Sequence, residues 1–158
     1  MEPQQVVAYL KRIPLFVNLD DERGEMELYQ IAKVVEEKTF NPGEWLFGQG
    51  QSSDRLYYIL EGQVQLTRVD PNGVTHDLGA RDAGAMFGET GLLVGDFHDV
   101  TAAALTATRV LYILRSDFAE LHDKRQYLRR KIKVRGCYLP GEFAMITNSN
   151  GSGAGKRR

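Results

Sequence analysis

Residues 87–101, FGETGLLVGDFHDVT, hold the side chains of this chain best suited to gripping a small polar ligand. Gly88 lets the backbone come close to a ligand and take up a positive φ. Glu89 beside it is an acceptor-only carboxylate, a match for the paired hydroxyls of a sugar. Thr90 opens the short apolar run TGLLV. If that run forms a helical turn, the free N–H groups at its start attract an anion to the same spot without any charged side chain. His98, Asp99 and Thr101 follow the next glycine. Near neutral pH a histidine is mostly uncharged and offers one or two N–H donors, and an adjacent carboxylate either repels an anion or holds the imidazole protonated. One segment thus offers a carboxylate for a sugar and amides for a phosphate. The same residues also suit a capped, solvated turn before a helix, and the loop alone leaves both open.

Other chemistry finds little footing. Cys137 is alone, which removes an internal disulfide framework and metal sites built on several cysteines. His76, His98 and His122 lack ligand-like spacing, so no metal is expected. No nucleophile stands beside a base, and the chain is not read as an enzyme; no cofactor is required. The ending GSGAGKRR imitates a phosphate-binding P-loop, but Asn150 takes the place of its first glycine and Arg157 that of its hydroxyl residue.

The elements that must position this loop follow from periodicity. Val6, Val7, Leu10 and Ile13 space as a helix over 3–13, ended by Pro14. The acids of DDERGEMELYQIAKVV open a second helix over 20–32. From 34 to 115 the chain reads as short strands every eight to twelve residues, parted by NPGE, GQSSD, LEGQ and DPNGV. This predicts a mainly β fold with flanking helices, a β-roll of the double-stranded β-helix or jelly-roll kind. Ser116 is a candidate N-cap for a helix over 116–134, whose stripe Phe118, Leu121, Leu128 and Ile132 is interrupted at Arg125. One domain, 1–135, is expected, with 136–158 as a flexible linker.

The net charge of -1 conceals an asymmetry: ten Lys or Arg against Glu142 alone from Lys124 onward give +9, and the rest carries -10. The run KRQYLRRKIKVR, within 124–135, suits an anionic partner, or docks on the acidic body. No helix-turn-helix for DNA follows it. No apolar run reaches bilayer length and the start lacks a secretory core, which predicts a cytoplasmic chain, or the cytoplasmic part of a longer protein, membrane-associated or not.

The string NPGEWLFGQGQSSDRLYYILEGQVQL, followed by GAMFGETGLL, resembles the cyclic nucleotide-binding domain family, the β-roll of catabolite-activator-type regulators, kinase regulatory subunits and gated channels. Matching positions are Pro42-Gly43-Glu44, Gln49-Gly50, Asp54, Tyr57-Tyr58-Ile59, Gly62, Val64 and Phe87-Gly88-Glu89, and the likeness runs from about Val7 to Ile132. It implies cAMP or cGMP as ligand, with Glu89 on the ribose 2'-hydroxyl and the amides around Gly88 and Thr90 near the cyclic phosphate. The family's phosphate-binding arginine falls on His98, Asp99 comes next, and Thr101 matches a position that contacts phosphate or base. Histidine lacks the permanent charge and planar fork of arginine, which implies weakened binding. Three roles stay open: a weak cyclic nucleotide sensor, a sensor of a less anionic small molecule, or a degenerate protein-interaction or dimerisation module. As a sensor it would shift helix 116–134 and so act on a downstream effector domain in a longer protein. A homodimer is left open, although Gly136 and Pro140 shorten the helix that would carry it.

Overall fold

The computed structural model describes residues 1–89, 92 and 96–132. Helix α1 (Pro3–Leu10) starts on a proline, whose missing N–H is not needed in a first turn, and the Gln5 side chain accepts from the Glu2 N–H at 2.9 Å. It stops at Leu10, short of the expected 13. Ile13 precedes Pro14 and is extended, as the proline ring requires, and Pro14–Phe16 form one 3-10 turn. Helix α2 (Glu22–Ala32) is capped by Asp21, whose Oδ1 accepts from the Gly24 N–H at 2.6 Å, with Glu22 and Glu25 in the first turn.

Among the described residues ten strands follow: β1 (Val35–Phe40), β2 (Trp45–Phe47), β3 (Ser52–Ser53), β4 (Arg55–Glu61), β5 (Val64–Val69), β6 (Thr75–Arg81), β7 (Met86–Phe87), β8 (Asp96–Phe97), β9 (Thr101–Ala104) and β10 (Thr108–Leu114). They pair antiparallel into two four-stranded sheets, ordered β1-β10-β4-β7 and β2-β9-β5-β6, with β3-β8 as a separate ribbon. This is the mainly β roll that the turn spacing predicts. The additions to the sequence reading are the two-residue strands β3, β7 and β8, too short to show alternation.

Strand β4 explains the two-sided core. Its RLYYILE run is apolar on both faces because both are covered. Leu56 and Tyr58 face a cluster with Val7, Leu10, Phe16, Leu28, Ile31 and Phe118, where the helices pack. Tyr57 and Ile59 face the cluster between the sheets, with Phe40, Phe47, Leu66, Ala102 and Val110.

The single helix expected over 116–134 is instead two: α3 (Arg115–Lys124) and α4 (Gln126–Lys131). Arg125 between them is extended, at φ -112° and ψ 106°, and the N-cap position of α3 falls on Leu114, with no side-chain cap, rather than on Ser116. The break falls where the apolar stripe is interrupted. It lets Leu128 and Ile132 bury in the helical core while the Arg125 guanidinium binds Glu27 on α2, which is 1% exposed. One segment of the basic run thus docks on an acid of the body. The tail 136–158, with Cys137, lies outside the described residues.

A second tie joins α4 to α2: the Tyr127 hydroxyl donates to Asp21. Burial first, and then this bond, push the Tyr127 phenol up to about 12. The same bond, helped by the Gly24 N–H, holds Asp21 below its ordinary 3.8. A raised phenol stabilises the fold fully below its ordinary value near 10, and that contribution fades as pH rises through about 12. A depressed carboxyl stabilises above 3.8 and fades as pH falls below it. Thermal melts should therefore drop at both ends of the pH scale, and Tyr127→Phe should shrink the alkaline drop. An unchanged alkaline arm in that variant would remove Tyr127 as its source.

Candidate functional site

The loop begins on a contact that admits one residue type. Gly88 has φ +87°, and a Cβ added there would stand 2.1 Å from the Arg55 carbonyl oxygen. The backbone at Gly88 therefore lies directly on β4. From there the Leu92 N–H donates to the Gly88 carbonyl at 2.9 Å, an i→i+4 bond that makes the turn helical. Glu89 starts that turn partly buried, and its Oε2 is buried with no hydrogen-bond partner among the described residues. Buried carboxylate oxygens are nearly always satisfied, so this atom is a ready acceptor for a hydroxyl brought by a ligand. Thr90 lies outside the described residues.

His98 is fixed by its backbone. Its N–H donates to the Gln51 carbonyl at 2.8 Å, and its carbonyl accepts from the Gly50 N–H at 2.7 Å. The imidazole lies flat on Phe47, ring centres 3.6 Å apart and planes 13° apart. Asp99 is exposed in the bend that follows. Thr101 pairs with Thr67 on β5, and its Oγ1 accepts from the Gln49 N–H at 3.0 Å. That hydroxyl keeps its own proton to donate. Asp99 and Thr101 thus stand beside His98, on the loop 49–51 side of the roll.

A cavity of about 470 Å³ opens beside them, its wall including His98, Phe47, Gln51, Lys38 and Arg55. Of the residues the sequence marks for a ligand, His98 lines it; Gly88, Glu89, Asp99 and Thr101 do not. Arg55 is the residue common to both: it is among the lining residues of the cavity, and its carbonyl touches Gly88. Arg55 and Lys38 are additions to the sequence reading. Among the described residues no group of three or more His, Cys, Asp or Glu could hold a metal ion. No described helix is long and apolar enough to cross a membrane.

Comparison with known proteins gives these positions a context. The family model described as "Cyclic nucleotide-binding domain" matches residues 37–125, more than half of the chain. The cGMP-dependent protein kinase egl-4 of Caenorhabditis briggsae is 28% identical over 128 residues, covering 80% of this chain and 17% of the kinase. The cyclic AMP receptor protein of Thermus thermophilus is 29% identical over 112 residues, covering 71% of this chain and 50% of the receptor. The chain thus spans half or less of the length of these relatives. Among solved structures, the N-terminal domain of a transcriptional regulator from Streptomyces coelicolor superposes with a TM-score of 0.67 at 31% identity, over 78% of this chain and 86% of that one.

Proposed function

The chain belongs to the cyclic nucleotide-binding domain family, and from that premise we propose that it is a regulatory sensor that binds cAMP or cGMP through Glu89. The observation that carries this reading is the Oε2 of Glu89, buried and without a hydrogen-bond partner among the described residues, at the start of a helical turn. A carboxylate so placed matches a ribose 2'-hydroxyl, which donates to it while the amides around Gly88 and Thr90 take the cyclic phosphate. Thr101 adds a hydroxyl donor.

Residue 98 differs from the arginine of the family pattern. Losing a charge-assisted bond to phosphate costs roughly 1.5–3 kcal/mol, about ten- to a hundredfold in affinity. The imidazole of His98 is stacked on Phe47 at the cavity wall. Binding weaker than at an arginine-bearing site follows from that substitution alone.

The output is motion of the helices after the roll. The Asp54 carbonyl accepts from the Arg115 N–H at 2.8 Å, so the cavity wall and the first residue of α3 share a bond. A ligand that prefers one placement of this wall shifts α3 and α4 with it, and through them an effector domain in a longer protein. Titration calorimetry with cAMP and cGMP, on this chain and on Glu89→Gln, tests the reading. Binding that falls at least about tenfold in Glu89→Gln is expected, because the amide turns an acceptor into a donor. No heat from the unaltered chain at millimolar nucleotide would defeat it and turn attention to an interaction module.

A further inference from the structure

Period-two alternation sorts the side chains of β1 and β4 by face. Phe40 and Tyr57 are buried in the cluster between the sheets, so Lys38 and Arg55, two residues before each, share that inner face. Both line the cavity of about 470 Å³ beside His98. That volume lies in the range of about 300–1,000 Å³ typical of small-molecule sites. Its wall sets two cations, Lys38 and Arg55, against one carboxylate, Asp54.

Arg55 is held but not consumed. Its Nε bonds Asp54 Oδ1 at 3.1 Å, and its guanidinium carbon stands 5.3 Å from the Tyr112 ring centre. Lys38 Nζ stands 4.8 Å from the centre of the Phe40 ring. Aromatic faces position such cations without neutralising them. The backbone of Gly88 rests on the Arg55 carbonyl, so the residue before Glu89 touches the main chain of the residue whose cation is invoked, although neither Gly88 nor Glu89 lines the cavity.

We infer that Arg55, assisted by Lys38, is the cationic clamp for the phosphate diester of the ligand, supplying from β4 and β1 the permanent charge that a histidine at position 98 lacks. The inference rests on the reading of a cyclic nucleotide ligand. Arg55 brings a planar fork that fits two phosphate oxygens, and Lys38 a mobile point charge. Asp54 keeps the fork in place before the ligand arrives and competes with it afterwards.

Calorimetry with cAMP and cGMP on Arg55→Gln, Lys38→Gln and Asp54→Asn tests this, with melts confirming that each variant is folded. Arg55→Gln is expected to lose about ten- to a hundredfold in affinity, Lys38→Gln less, and Asp54→Asn to gain. The salt dependence should flatten in the first two, because each removes a charge that meets phosphate. Nucleotide binding that is unchanged in both Arg55→Gln and Asp54→Asn would overturn the clamp while leaving the cyclic nucleotide reading intact. If the unaltered chain binds no cyclic nucleotide, phosphorus NMR with inorganic phosphate decides the clamp separately. Broadening that disappears in Arg55→Gln would support an anion site there, and broadening equal in both, or absent, would overturn it.

Discussion

Gly88→Ala is expected to lower stability by more than about 3 kcal/mol, a fall of roughly 10 °C in melting temperature for a domain of this size. Two penalties combine. The residue has φ +87°, where an L side chain adds roughly 1–2 kcal/mol. The new Cβ would also stand 2.1 Å from the Arg55 carbonyl oxygen, a backbone atom that no rotamer change can move away. Relief needs the helical turn after Gly88 to lift, or β7 to leave β4, where Tyr57 pairs with Phe87. Gly43→Ala is the control, because Gly43 has φ +91° with nothing within 4 Å of its added Cβ. Its loss should be limited to the dihedral penalty. Chemical denaturation of both variants separates the two effects, and equal midpoints would refute the contact.

The same contact shows what could and could not be read from residue types. Gly88-Glu89 stands out in the sequence because a permissive backbone beside an acceptor suits a ligand. The partner that makes glycine obligatory is Arg55, 33 positions earlier, and nothing local points to it. The roll was legible because each long strand lies between turn signals, and β4 betrays burial on both faces by its unbroken LYYIL. Arg55 itself was within reach: counting back by two from Tyr57 puts it on the inner face. It passes for an ordinary strand-end charge because Asp54 precedes it and a solvated pair is the common outcome. His98 was identified by its place after the turn, but its stacking on Phe47 depends on β2 and the loop before β9 lying together, which no spacing rule encodes. The interruption of the apolar stripe at Arg125 was visible, yet periodicity alone cannot say whether one charged residue leaves a helix straight or breaks it. The acid that Arg125 reaches lies 98 positions away.

That distant acid gives the second large effect: Arg125→Ala should cost about 2–4 kcal/mol, more than Glu27→Gln. Glu27 is 1% exposed, on the α2 face that packs against α4. Arg125 meets both of its oxygens, Nη2 to Oε2 at 3.0 Å and Nε to Oε1. Removing the guanidinium leaves a buried carboxylate whose remaining cation is Arg23, 3.6 Å away and largely exposed. A charge stripped of its partner inside the fold is expensive, whereas Glu27→Gln removes the buried charge itself and leaves Arg125, which is partly exposed, to be solvated. The ordering of the two variants therefore distinguishes an unpaired buried charge from simple loss of contact, and the reverse ordering would contradict it. Replacing both residues by methionine should recover much of the loss, since matched apolar side chains often substitute for a buried ion pair at little net expense. Such a variant would hold α4 on α2 by packing alone. Because α4 also carries Tyr127 to Asp21, the chain with Arg125→Ala should show a weakened alkaline transition as well, a second readout that a purely local defect would not move.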